Sequence, residues 1–133
     1  MANPNIVNVT SIYGNTAYIS PAGTSATAAW THNGTTALTG LTPAANTVNR
    51  VTSITVSNVT GGAVAATVAI ADNATFGSGT ARNIAFAISV PANSTLVVTD
   101  KSTSFYVTEN QSVGVTAGTG NALNFVATFE AIT

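Results

Sequence analysis

The sequence contains one histidine, His32, and it follows the single tryptophan, Trp30, by two residues. Residues two apart in a strand point to the same face, so Trp30 and His32 could form a sugar-stacking or contact pair. The alternative is an aromatic anchor beside an exposed imidazole, which the small residues around the pair favour. A serine-type catalytic site would need His32 beside an acid such as Asp72 or Asp100, and neither the spacing nor a G-x-S-x-G pattern supports one.

The four carboxylates do not suggest a site either. A glycosidase needs two of them about 5–10 Å apart across a cleft, and calcium needs several oxygen ligands in one compact loop. Asp72 and Asp100 fall at predicted strand ends, where turn formation accounts for an acidic residue. Glu109 precedes a predicted turn, and Glu130 lies on the predicted solvent face of the last strand. The chain has no cysteine, so it has no thiolate that could bind a metal. From these observations together we predict no catalytic residue, no metal site, no cofactor and no enzymatic activity.

Charged side chains are rare. The 133 residues include three Lys or Arg and four Asp or Glu, which is 5% of the chain, whereas an ordinary domain has about 25%. Three scattered cations cannot form the basic patch that nucleic acid requires, so we expect no nucleic-acid partner. No apolar stretch approaches the roughly 20 residues of a membrane helix, and the first residues lack a signal-peptide pattern, so we expect no membrane partner and no leader.

Alternating bulky and small residues predict strands along most of the chain. Segments 63–71 and 83–90 show this pattern most regularly, and we expect them to be neighbouring strands of the core. Further strands are predicted at 5–13, 16–20, 25–31, 47–59, 94–99, 103–109, 112–117 and 122–132. Turn signals separate them, including Tyr13-Gly14-Asn15 and Asn33-Gly34, so the pairing is expected to be antiparallel.

These elements predict an all-β fold, an antiparallel β-sandwich that is jelly-roll-like. The chain has no linker that would divide it, so residues 1–133 are expected to form one domain. Residues 1–14 are expected to be an N-terminal arm or an edge strand. Residues 21–46, rich in Ala, Thr and Gly, are expected to be an extended loop or a hairpin.

Four stretches of the sequence carry a family resemblance. They are MANPNIVNVTSIYGNTA at the start, VTSITVSNVTGGAVAATVAI at 51–70, ISVPANSTLVVTDKSTSFYVTENQSVGVTA at 88–117 and NFVATFEAI near the end. They resemble small virion structural proteins, of the capsid decoration type, from tailed phages that infect marine cyanobacteria and other aquatic bacteria. The resemblance implies a particle component and no catalytic residues.

We therefore expect a capsid decoration or cement protein on the outer surface of the shell, because a nearly uncharged surface lets many copies crowd together without repulsion. The expected partners are the major capsid protein and copies of the chain itself, with a trimer as the first expectation. Two alternatives remain, a tail, neck or fibre protein and a carbohydrate-binding adhesion module. The candidate interface residues are Ile6, Val7, Val9, Ile12, Tyr13, Trp30 and His32.

Overall fold

The described residues form ten strands, which pair in two antiparallel sheets. The computed structural model describes residues 3–32, 34 and 36–133. The strands are β1 (Ile12–Ile19), β2 (Ala29–His32), β3 (Thr36–Thr39), β4 (Val48–Asn58), β5 (Val64–Ala71), β6 (Ala81–Val90), β7 (Thr95–Thr99), β8 (Phe105–Val107), β9 (Ser112–Ala117) and β10 (Leu123–Ile132). The prediction of an all-β, antiparallel sandwich is confirmed.

The two sheets differ in size. The large sheet has seven strands in the order β3-β2-β1-β10-β4, with β7 and β8 pairing successive parts of β4. The small sheet has three strands in the order β6-β5-β9. Helical structure in the described residues is limited to two short 3₁₀ turns, Phe76–Ser78 and Lys101–Thr103. Within those residues, no helix is long and apolar enough to cross a membrane.

The core lies between the sheets and is made largely of branched aliphatic side chains. Along β10, Leu123, Phe125, Ala127 and Phe129 are buried and alternate with more exposed residues. This period of two places one face of β10 against the small sheet and leaves the other outside. Burial of such side chains stabilises the fold by about 1.5–3 kcal/mol each.

Two predictions about the first strands are wrong. Residues 5–11 form no strand, and the predicted turn at Tyr13-Gly14-Asn15 instead lies in the first half of β1. The whole length of β1 pairs with β10, with Gly14 opposite Glu130. Pairing along ten-residue β10 therefore overrides the local turn preference of Gly and Asn. On its other side β1 pairs with β2 only at Ala17 and Tyr18, so residues 12–14 have a strand neighbour, β10, on one side only. Met1 and Ala2 lie outside the described residues.

Segment 21–46 contains the short hairpin of β2 and β3, preceded and followed by irregular backbone. The predicted turn at Asn33-Gly34 falls at this hairpin, but Asn33 and Thr35 lie outside the described residues. After β3, Gly40 and Leu41 both have positive φ angles, 68° and 55°. The chain turns there so that the side chain of Leu41 is completely buried.

The predicted pairing of segments 63–71 and 83–90 is confirmed, because β5 and β6, which cover them, are antiparallel neighbours. The expectation that both are core strands is wrong for β6. Eight of its ten residues are exposed, and only Val90 is buried. The strand lies at the edge of the small sheet, so its bulky residues lack the neighbours that bury those of β5.

Candidate functional site

Trp30 belongs to the core, which corrects its prediction as an interface residue. Its side chain is only 1% exposed. Its indole Nε1–H donates a 2.9 Å hydrogen bond to the carbonyl oxygen of Val113 on β9. A buried indole satisfies its one donor in this way. The side chain of Trp30 therefore connects the two sheets and offers no surface to a partner or a sugar ring.

His32 lies at the margin of the core, in a shallow recess of about 250 Å³ that Tyr13 and Phe129 also line. Its Nε2–H donates to the side-chain oxygen of Asn15 over 3.1 Å. The ring of Phe129 lies 6.0 Å away, centroid to centroid. The predicted residues Tyr13 and His32 are thus close together. The hydrogen-bond partner of His32 is an amide and not the carboxylate that a catalytic base would need.

The N-terminal segment, residues 3–11, carries three of the predicted interface residues. Ile6 is exposed, Val7 is 91% exposed and Val9 is half-buried. The segment turns where the Val7 N–H donates to the side chain of Asn5. It joins the sheet at Ser11, whose backbone bonds to Thr133. Two apolar side chains of this segment therefore remain in contact with solvent.

The predicted interface residues do not form one surface. Ile12 and Tyr13 begin β1, are both exposed, and follow one another on alternating faces. Tyr13 shares the recess with His32, whereas Ile6 lines a separate hollow with Val48 and Tyr106. The candidates are therefore divided among the N-terminal segment, the start of β1, the recess and the core.

Four of the seven charged side chains form two isolated ion pairs. Arg50 lies 3.9 Å from Glu130 on the outer face of the large sheet, and Arg82 lies 3.4 Å from Asp72. Such exposed pairs contribute about 0–1 kcal/mol each. No group of three or more His, Asp or Glu side chains that could hold a metal ion occurs among the described residues.

Two aspartates stabilise turns. The Thr80 backbone N–H donates to the carboxylate of Asp72 and is the main reason that its pKa lies below the usual 3.8. The Ser102 hydroxyl does the same for Asp100, whose pKa is also lowered. Hydrogen bonds of this kind favour the charged form. A lowered pKa is unlike that of a general acid, which must keep its proton near neutral pH.

Sequence patterns did not identify the most unusual surface of the fold, the β6 strip, which we define as residues 84–88. Phe86 is 68% exposed, Ile88 43% and Ile84 37%. The register with β5 shifts twice along this strand, and Ala87 has a positive φ of 48°. Such bulges redirect side chains at sheet edges. The alternation of Ile84, Phe86 and Ile88 predicted a strand, but it contained no information about whether that strand lies at the centre or at the edge of its sheet.

The opposite edge of the small sheet is closed by the chain itself. Along β9, Val115 exchanges two backbone hydrogen bonds with Thr27, of 2.8 and 2.9 Å. Val113 donates its N–H to Gly40 and accepts the indole bond of Trp30. Among the described strands, β6 pairs only with β5. The small sheet therefore has one edge that is satisfied and one, ten residues long, that is open.

The outer face of the large sheet is almost uncharged. One row of cross-strand neighbours runs from Thr31 through Tyr18, Val126 and Thr55 to Val97. Tyr18, Val126 and Val97 are exposed and Thr55 is half-buried. This row offers apolar contact and hydroxyl groups, but it has no charge with which to attract an ionic ligand.

Searches against protein-family models, curated proteins and solved structures found no significant match to this chain. The surfaces described above are therefore interpreted from their own contacts and exposure. They are an open apolar strand edge, a nearly uncharged sheet face and a small recess beside His32. All three offer contact surfaces to a partner.

Proposed function

We propose that this chain is a structural component of a phage particle, and specifically a capsid decoration or cement protein that binds the outer surface of the shell. The observation that carries the proposal is the β6 strip, an apolar strand edge left open in a chain that closes its other small-sheet edge. A long, exposed and apolar edge is an aggregation hazard in a free monomer, and proteins normally cover such edges. An assembled state in which β6 is covered removes that hazard.

The distribution of charge supports assembly at high density. The chain has a formal net charge of −1, and two of its cations are paired with carboxylates at the surface. Neighbouring copies with such surfaces repel one another little. The sequence resemblance to small virion proteins supports the phage particle as the assembly and the major capsid protein as the partner.

A particle experiment tests the cementing role. Virions that lack this protein should release their DNA at lower temperature and after milder osmotic shock than complete virions, because fewer contacts hold the shell together. Adding back the purified protein should restore resistance. Equal resistance of the two kinds of particle would refute the cementing role.

The number of copies of this protein in each virion distinguishes a capsid decoration protein from a tail, neck or fibre component. A decoration protein should occur in numbers comparable to those of the major capsid protein, whereas a tail, neck or fibre component should be a small fraction of it. Quantitative mass spectrometry of purified virions measures this ratio. Cryo-electron microscopy of the same particles locates the protein directly, and density only at the tail would reassign it.

The adhesion alternative now depends on the exposed tyrosines Tyr13, Tyr18 and Tyr106, because Trp30 is buried. Aromatic faces of this kind can stack on sugar rings. A glycan array with the purified protein tests it, and specific binding that is lost in a Tyr→Ala variant would favour adhesion over decoration.

A further inference from the structure

We infer that the β6 strip is a self-association surface, through which two copies of this chain meet about a two-fold axis near Phe86. The inference rests on the proposed function, since it specifies how neighbouring copies touch. It concerns the contact between copies and not the contact with the shell. Phe86 lies at the centre of the strip and is its most exposed large side chain.

The shape of the strand indicates how the contact is made. The pairing register with β5 shifts between Ala66 and Val68 and again between Val68 and Ala69. A second strand could therefore not form an unbroken ladder of backbone hydrogen bonds along β6. The exposed side chains of the strip, with Phe86 at its centre, must therefore make most of the contact. Aromatic side chains at the centre of an interface commonly supply most of its binding energy.

Charge favours a second copy as the occupant. Between Arg82 and Asp100 the sequence has no charged residue, so two copies of this region meet without repulsion. In an antiparallel contact centred on Phe86, the two copies of Arg82 lie eight strand positions apart, roughly 25 Å. Each Arg82 also has Asp72 of its own chain as a partner at 3.4 Å. A strongly charged partner would have to give up hydration for contact with an uncharged strip.

Area sets the expected strength of the contact. Even if all eight exposed residues of β6 took part, two copies would bury at most on the order of 1,000 Å² in total, which is at the lower limit for a specific interface. We therefore expect a weak dimer in solution, which becomes stable when copies are held at high density on a shell. A two-fold contact closes on itself, so this inference favours a dimer over the trimer expected from the sequence.

Sedimentation velocity over a wide concentration range tests the inference. The unmodified chain should show a monomer–dimer equilibrium. Phe86→Ser should weaken dimerisation by about tenfold to thirtyfold, the loss expected for a central interface residue. Val59→Ser is the matched control, because Val59 is an apolar residue of comparable exposure, 56% against 68%, outside β6. A chain that stays monomeric, or an oligomer that Phe86→Ser leaves unchanged, would overturn the inference.

Cross-linking tests the symmetry of the contact. The chain has no cysteine, so a single introduced thiol can react only with its copy. Ala87→Cys, close to the proposed axis, should form a covalent dimer with a short bis-maleimide, and adding Phe86→Ser should suppress it. Val97→Cys, exposed on β7, should remain monomeric. Equal cross-linking at both positions would show random collision and would overturn the inference.

The results also separate this inference from the proposed function. A dimer that depends on Phe86, in a protein that is absent from virions, would support the self-association surface and refute decoration. A monomer that binds shells in a Phe86-dependent manner would support decoration and overturn self-association, because the shell protein would then cover the strip.

Discussion

The indole N–H of Trp30 and the carbonyl oxygen of Val113, 2.9 Å apart, join the large sheet to the small sheet inside the core. The side chain of Trp30 and Val113 are both buried. Together with the bonds of Thr27 and Gly40, this contact satisfies the outward edge of β9. The same segment of the chain therefore fills the core and closes one edge of the small sheet, while β6 receives no such cover among the described residues.

Replacing Trp30 by Phe should destabilise the fold by about 1–3 kcal/mol, because the carbonyl of Val113 would be left buried without its donor. Urea unfolding followed by circular dichroism measures the loss. Tyr18→Phe is the control, since it removes a polar group from an aromatic side chain that is exposed. If the Trp30 variant were as stable as this control, the indole hydrogen bond would contribute little.

Gly40→Ala should be more damaging than Gly34→Ala, although both residues have a positive φ. A Cβ on Gly40 would lie 2.4 Å from the Cβ of Ser112, whereas one on Gly34 would meet no atom within 4 Å. Backbone strain alone costs about 1–2 kcal/mol, and crowding should add about 1–3 kcal/mol at Gly40. If thermal unfolding showed the same loss of stability for both variants, Ser112 would have moved to make room for the new Cβ.

Ala87→Gly should stabilise the protein by about 0.5–1 kcal/mol. The φ of 48° at Ala87 strains a residue that has a Cβ, and glycine relieves this strain at some cost in unfolded-state entropy. Ala85→Gly is the matched control on the same strand, has no positive φ, and should lower stability by about 0.5–1 kcal/mol. Chemical denaturation measures the change in the free energy of unfolding for each variant. A lower stability of Ala87→Gly would contradict the strain assigned to Ala87.

The stability of the fold should decrease slightly in acid through Asp100. Its folded pKa is below the usual 3.8, so its contribution is complete above that pH and disappears as the pH falls through the folded pKa. Asp100→Asn should flatten the dependence of the melting temperature on pH below about pH 4. Because the carboxylate is exposed, solvent screening keeps the effect small.

Ser102→Ala tests the cause of the shift at Asp100. The Ser102 hydroxyl is the main group that lowers this pKa, and it donates to the carboxylate over 2.6 Å. Its removal should bring the acid transition closer to the usual value while leaving the carboxylate in place. NMR titration of Asp100 measures the pKa directly, and an unchanged value would assign the shift to the backbone N–H groups of the turn.

Local patterns predicted most of the strands, but they divided the first one by a turn. The regular alternation of 122–132 and 47–59 corresponds to β10 and β4, the longest neighbours in the large sheet. Gly14 was assigned to a turn because glycine and asparagine favour turns locally. In the fold, Gly14 pairs with Glu130, and this contact between residues far apart in sequence decides its conformation.

The candidate site was less predictable than the fold. Spacing placed Trp30 and His32 on one face of a strand, but it could not show that the small sheet covers Trp30 and leaves His32 at a recess. The apolar alternation of β5 and β6 looked equivalent in sequence. Burial differs because β5 has a strand on each side and β6 has one.

The sequence by itself determined an antiparallel all-β chain with few charges, because period-two alternation, frequent turn residues and composition are local properties. Only the tertiary structure decided which strand edge remained open. Closure of β9 requires Thr27, Trp30 and Gly40 to reach Val113 and Val115 across more than 70 residues of sequence, which is more than half of the chain. Pairing over such separations depends on the packing of the two sheets, and it leaves Phe86 at the surface.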